Sequence, residues 1–199
     1  MNAAPKDIAA LIGSRICHDL ISPLGAIGNG VELLGMAGTI DGPEMALINE
    51  SVMNANARIR YFRIAFGAAR NRQMIGRDEI KSVLQDVGKG ARVSIEWESD
   101  ESILREQVKL AFLLIQCFET ALPYGGIIHV KQIQDRWTLQ CQSETLKIDP
   151  SVWEYLVSAN ANKDISPAEV HFALVPDAAK SAGRNLRTEL ESDAITLVV

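Results

Sequence analysis

His18 is the side chain whose type and placement point first to chemistry. Apolar residues recur at three- and four-residue steps through Ile8, Leu11, Ile12, Ile16, Leu20, Leu24, Ile27, Val31 and Leu34. Helical residues turn by roughly 100° each, so His18 lies about 200° from Ile16, off the apolar seam. Its neighbours one turn away are Ser14, Arg15 and Ser22, with Gly25 and Asn29 further along. That stripe is polar or small, and another surface can approach it. A neutral imidazole placed there keeps one unprotonated nitrogen able to attack phosphorus. Asp19 follows directly and can accept from the ring, fixing its tautomer and taking up positive charge. Arg15, one turn back, can reach phosphate oxygens. The set His18, Asp19 and Arg15 therefore reads as phosphoryl-transfer chemistry. Ser14, Ser22, Gly25 and Asn29 read as contacts for the incoming partner. Pro23 removes one backbone hydrogen bond and is expected to kink the helix just after the site.

The remaining candidates read more simply. His129 falls in a strand pattern and His171 in a helix pattern, with no converging partners. Cys17 reads as packing. Arg58, Arg60, Arg63, Arg70 and Arg72 read as solvated helix faces, of which one or two can steer an acidic partner. Cys17, Cys117 and Cys141 are far apart and odd in number, which suggests neither a disulfide framework nor a zinc site.

The elements that must carry His18 form a helical hairpin over residues 1–75. The first run, through Leu34, ends in a turn over Met36–Pro43, where Gly38 suits a helix end and Pro43 a first helical turn. A second run follows through Met45, Ile48, Val52, Ala55, Ile59, Phe62, Phe66 and Ala69. One such hairpin has two apolar seams, and dimerising into a four-helix bundle would cover both. Residues 76–199 mix elements, with a boundary near Gly76. Helices are expected over Asp78–Val87, Leu104–Ala121 and Ser166–Ala182, the last capped by Ser166 with Pro167 at its first position. Strands are expected over Ala91–Trp97, Gly126–Ile133, Trp137–Cys141, Leu186–Leu190 and Ala194–Val199. That order implies a mixed sheet covered by helices on one face.

Composition narrows the function classes. The chain has 199 residues and a net charge of −5, with no basic excess to invite nucleic acid. Residues 1–75 carry seven Lys/Arg against six Asp/Glu, and residues 76–199 carry thirteen against nineteen, so the first part better suits an acidic partner. No apolar run approaches the roughly 20 residues of a membrane helix, and the first residues lack a signal-peptide pattern. The expected compartment is the cytoplasm.

The string His18-Asp19-Leu20-Ile21-Ser22-Pro23-Leu24 resembles the phosphoacceptor box of sensor histidine kinases, and Gly25-Ala26-Ile27 extends the likeness. Residues 76–199 resemble the kinases' GHKL-type ATP-binding domain in degenerate form. Leu113 to Gly126 follows the layout of the asparagine box, with Gln116 and Thr120 where the family has its two asparagines. The second of these is the family's magnesium ligand, for which Thr120 is a poor substitute. After the strand ending at Cys141, the adenine-reading Asp-x-Gly-x-Gly stretch is replaced by Gln142-Ser143-Glu144-Thr145-Leu146. A second glycine-rich stretch is replaced by Lys163-Asp164-Ile165-Ser166-Pro167-Ala168-Glu169. The combination resembles the ChpT-type histidine phosphotransferases, and Ser14 to Asp19 and Asn29 to Leu34 strengthen the likeness.

The resemblance implies a homodimer with two His18 sites. It implies relay between the receiver domains of a hybrid histidine kinase and of downstream response regulators. It also implies no bound nucleotide or metal, Mg²⁺ being held by the receiver. Three rivals predict different outcomes. An active histidine kinase with an unusual ATP site would bind Mg-ATP. A non-catalytic receiver-binding adaptor would not need His18. A phosphatase using Ser22 or Asn29 would survive its loss.

Overall fold

The computed structural model describes residues 8–37, 42–69, 72–157 and 164–199. Helix α1, Ile8–Ala37, runs continuously through Pro23. Helix α2, Pro43–Ala65, starts with Pro43 in its first turn, after the extended residue Gly42. Proline belongs there because its missing N–H has no helical acceptor to lose. The two helices approach closely at Gly30, where a Cβ would come within 2.5 Å of the Ile48 side chain. Gly38, in the expected interhelical turn, and Arg70 lie outside the described residues.

The second part begins with β1, Met74–Gly76, and continues through α3, Arg77–Gly88, β2, Val93–Glu98, and β3, Ser102–Leu104. Then come α4, Arg105–Ala121, β4, Gly126–Ile133, and β5, Arg136–Gln142. The chain ends with α5, Pro150–Trp153, α6, Val170–Ser181, β6, Arg187–Leu190, and β7, Ala194–Val198. The main sheet has the order β2-β4-β5-β7-β6, with β2 and β4 parallel and the other pairs antiparallel. Strands β1 and β3 form a separate antiparallel pair. These two strands have three residues each and α5 has four, too short for any periodicity to announce them. The helix expected from Ser166 is divided. Ser166 and Glu169 form a reciprocal capping box around a 3-10 turn, Pro167–Glu169, and α6 follows.

Helix α4 is the centre of the core. Its residues Leu110 to Phe118 are all buried, because it is sandwiched between sheet, α6 and α2. A central stretch that is apolar on nearly every side, with Gln116 as its one polar residue, suits such a position. Strand residues Ile128, Val130, Trp137, Leu139, Ile195 and Leu197 supply the sheet's inner face. The turn into β4 uses Gly125 at φ +93, where a Cβ would also stand 2.3 Å from the Arg92 carbonyl oxygen.

The hairpin is fastened to this core. Tyr61 of α2 stacks on Phe112 of α4 at 4.7 Å, and its hydroxyl donates to the Phe112 carbonyl at 2.7 Å. Arg60 pairs with Asp86 of α3 at 2.7 Å. Arg105 donates to the Arg63 carbonyl and Lys109 to the Gly67 carbonyl, so side chains of α4 satisfy backbone acceptors at and just beyond the end of α2.

Candidate phosphotransfer site

Helix α1 places His18 where the periodicity puts it, with 86% of its side chain exposed. Its Nδ1 lies 3.1 Å from Oδ1 of Asp19. A carboxylate can only accept, so Nδ1 carries the proton and Nε2 is left with a free lone pair. The geometry is that of a nucleophile with an orienting base. Ser14, Ser22, Gly25 and Asn29 are all exposed on the same helix, leaving room around the ring.

Asp19 is only 10% exposed and holds a second set of partners. Its Oδ2 is 3.1 Å from Nε of Arg15 and 3.6 Å from Nη1 of Arg58. Arg15 reaches on to the second domain, where Nη1 donates to the Ala168 carbonyl at 3.1 Å. Arg15 is thus held by an ion pair with Asp19 and a hydrogen bond to the protein backbone. Arg58 is tied to Asp19 and to Asn54, at 3.0 Å, rather than being a solvated face, and the same holds for Arg60 through Asp86. Nothing near Arg58 in the sequence marks it, since its partner lies on the other helix. Cys17, read as packing, is exposed.

Arg15, Asp19, Arg58, Tyr61, Gln116 and Glu119 line one cavity between the hairpin and α4. Burial pushes the Glu119 carboxyl up to about 7, against the opposing pull of Arg15 and Arg58, with Asp19 adding to the rise. Burial likewise raises the Tyr61 phenol and the Cys117 thiol well above their ordinary values. Sequence reasoning passed over Glu119, which reads there only as one residue of a box whose neighbours had changed.

Gln116 and Thr120, read as standing at asparagine-box positions, make contacts within α4 and to α6. Thr120 donates to the Gln116 carbonyl at 2.9 Å and sits 3.3 Å from Nε2 of His171. His171 is buried, and desolvation pushes its pKa down to about 3. Trp153 of α5 fits edge-on between Phe118 and Phe172, filling space between α4 and α6. His129, on the far side of the sheet, pairs with Glu96 at 2.9 Å. Among the described residues no cluster of His, Cys, Asp or Glu has the arrangement of a metal site.

The histidine phosphotransferase C-terminal domain family matches residues 77–194. The protein phosphotransferase ChpT of Brucella abortus (strain 2308) is 36% identical over 154 residues, covering 74% of this chain and 73% of that protein. The chain belongs to the ChpT-type histidine phosphotransferases. A bacterial phosphotransferase solved at 1.7 Å superposes with a TM-score of 0.80 at 30% identity, covering 100% of this chain and 98% of the other. Family membership makes the chain a phosphotransferase working in phosphorelay, and it combines a helical hairpin with a mixed-sheet domain. Response regulators are its class of partner. No helix among the described residues is long and apolar enough to cross a membrane.

Proposed function

We propose that His18 is the phosphoacceptor of this phosphotransferase and that Asp19 orients it. The observation that supports this reading is a ring exposed at Nε2 and tied at Nδ1 to a buried carboxylate. The donor is a phospho-aspartate on a receiver domain, which also holds the Mg²⁺. Nε2 attacks in line, a P–N bond forms, and the P–O bond to the aspartate breaks, restoring its carboxylate. Asp19 balances the charge left on the ring while keeping the Nδ1 hydrogen bond. A second receiver's aspartate reverses the step. Catalysis is mainly positioning and charge balance. Arg15 contributes positive charge through Asp19, and Ser14, Ser22, Gly25 and Asn29 meet the receiver surface.

The active form is a homodimer. Ile21, Leu24, Val31 and Met36 of α1 are 67%, 58%, 57% and 77% exposed in the single chain. Val52 and Ile59 of α2 are exposed as well. A stripe of this kind on a helical hairpin calls for an apolar partner, and a second copy in a four-helix bundle supplies it. The compartment is the cytoplasm, where receivers reside.

The test is transfer of label from a radiolabelled phospho-receiver in the presence of Mg²⁺, for wild type and His18→Ala. Wild type is expected to take up label within seconds and the variant none. Binding of receivers with no labelling of either protein would make the chain an adaptor.

A further inference from the structure

The cavity behind Asp19 contains more charge than an orienting carboxylate needs. Two guanidinium groups, Arg15 and Arg58, face two carboxyl groups, Asp19 from α1 and Glu119 from α4. The arginines lie within ion-pair distance of Asp19, and Glu119 lines the same cavity without a direct ion pair to either. Gln116, 3% exposed with no protein partner for its amide atoms among the described residues, lines the same space.

We propose that Glu119, supplied by the second domain, is a positioning residue for phosphoryl transfer at His18. Ionised, it shares Arg15 and Arg58 with Asp19; neutral, it leaves both arginines to Asp19 and to the phosphoryl group arriving one residue away. This proposal rests on His18 being the phosphoacceptor.

The electrostatics set the direction. With Glu119 ionised the four charges sum to zero, and with Glu119 protonated the cluster carries one net positive charge. A phosphoryl group brings close to two negative charges to His18, so it is better received by the protonated cluster. By linkage, phosphorylation of His18 must in turn raise the affinity of Glu119 for its proton.

The groups facing Glu119 leave it as the one that changes state near neutrality. From α2, Tyr61 is held neutral and Arg58 stays charged. On α4 itself, burial keeps the Cys117 thiol protonated. From α6, His171 is neutral down to about 3. Glu169, on the 3-10 turn, is committed to the capping box with Ser166. From α1 come Arg15 and Asp19, the cluster's own members. The α3 side contributes Val87 and, beyond the helix, Ala91, which carry no charge. This gives the second domain a reason to persist without a nucleotide: through Glu119 and the Ala168 carbonyl it sets the charge and placement of the arginines behind His18.

The experiment uses potassium phosphoramidate, which passes its phosphoryl group to an imidazole nitrogen with loss of ammonia and needs no receiver. The rate of phosphohistidine formation is measured from pH 6 to pH 8 for wild type and Glu119→Gln, with His18→Ala as control. Ionisation of the reagent is common to both proteins and cancels in the rate ratio. The ratio of variant to wild type is expected to rise on the order of threefold to tenfold across this range, as wild type acquires the negative charge the variant lacks. A constant ratio overturns the proposal.

A second measurement needs no variant. The Glu119 carboxyl is titrated by carbon NMR in the wild-type protein before and after phosphorylation, and an unshifted midpoint overturns the proposal equally. If phosphoramidate labels His18 but phospho-receivers do not, the relay reading fails and this one stands. Absence of phosphohistidine at position 18 in the wild type, read by peptide mapping, would overturn the phosphoacceptor assignment on which it rests.

Discussion

At the scale of single residues, the site is a chain of charge running inward from an exposed ring. His18 offers Nε2 to solvent, Asp19 holds Nδ1, and Arg15 and Arg58 hold Asp19. Each link constrains the one outside it, since a carboxylate shared by two guanidinium groups is not free to rotate away from the ring. Replacing Asp19 with Asn should therefore do two kinds of damage. It removes the charge opposite the developing imidazolium, and it lets the amide present an N–H to Nδ1, favouring the wrong tautomer. Single-turnover transfer from a phospho-receiver is expected to slow by about 10²-fold or more, the range for losing a positioned acid–base group. An unchanged rate would take Asp19 out of the mechanism. His18, Asp19 and Arg15 are legible in the sequence because all three lie within one helical turn. Arg58 and Glu119 are not, since they reach the site from two other helices.

At the scale of elements, α4 and α6 meet through polar and aromatic side chains. Thr120, Gln116 and His171 contact one another or lie buried, and Trp153 packs between Phe118 and Phe172. This packing makes stability depend on acid. His171 has a pKa of about 3 in the folded chain against an ordinary value of 6.5. The unfolded chain therefore binds a proton that the folded chain refuses between those values. Stability attributable to His171 is complete above pH 6.5 and is lost as pH falls toward 3. Glu119 acts in the opposite sense over a different window. Its pKa is raised from 4.5 to about 7, so stability declines as pH rises through that interval. In His171→Leu the midpoint of urea unfolding should fall less between pH 6.5 and pH 4 than in wild type. Parallel curves for the two proteins would show that His171 does not set the acid limit. The long helices and the β4–β5 hairpin follow from periodicity, whereas β1, β3 and α5 have three or four residues and exist only because partners in space fix them.

At the scale of the whole molecule, the hairpin is fixed to the second domain at several points. Tyr61 to Phe112, Arg60 to Asp86, Arg105 to the Arg63 carbonyl and Arg15 to the Ala168 carbonyl span the length of the contact. Several are buried or charge-assisted, and together they resist relative motion better than any one alone. The opposite face of α1 carries Ile21, Leu24 and Val31 without cover in the single chain. Leu24→Glu should convert a dimer to a monomer, read by light scattering coupled to size exclusion, with the far-ultraviolet circular dichroism largely kept. A dimer that persists at micromolar concentration would place the interface elsewhere.

What the sequence determined by itself is local. The three- and four-residue apolar steps made α1 and α2, and the 200° offset from the seam put His18 outside. The motif around it named the chemistry. The likeness of the second part to a kinase ATP-binding domain, with Gln116 and Thr120 at its asparagine positions, raised the expectation of a fold kept without a nucleotide. Tertiary structure decided everything that depends on residues distant in sequence meeting across a cavity. It committed Arg15 to Asp19 and the Ala168 carbonyl, and it recruited Arg58. It also placed Glu119, half-buried, at the cavity behind Asp19, where its charge is costly. The physical reason is that periodicity reports which face of a helix is apolar, whereas a buried charge is set by the groups other elements bring to it.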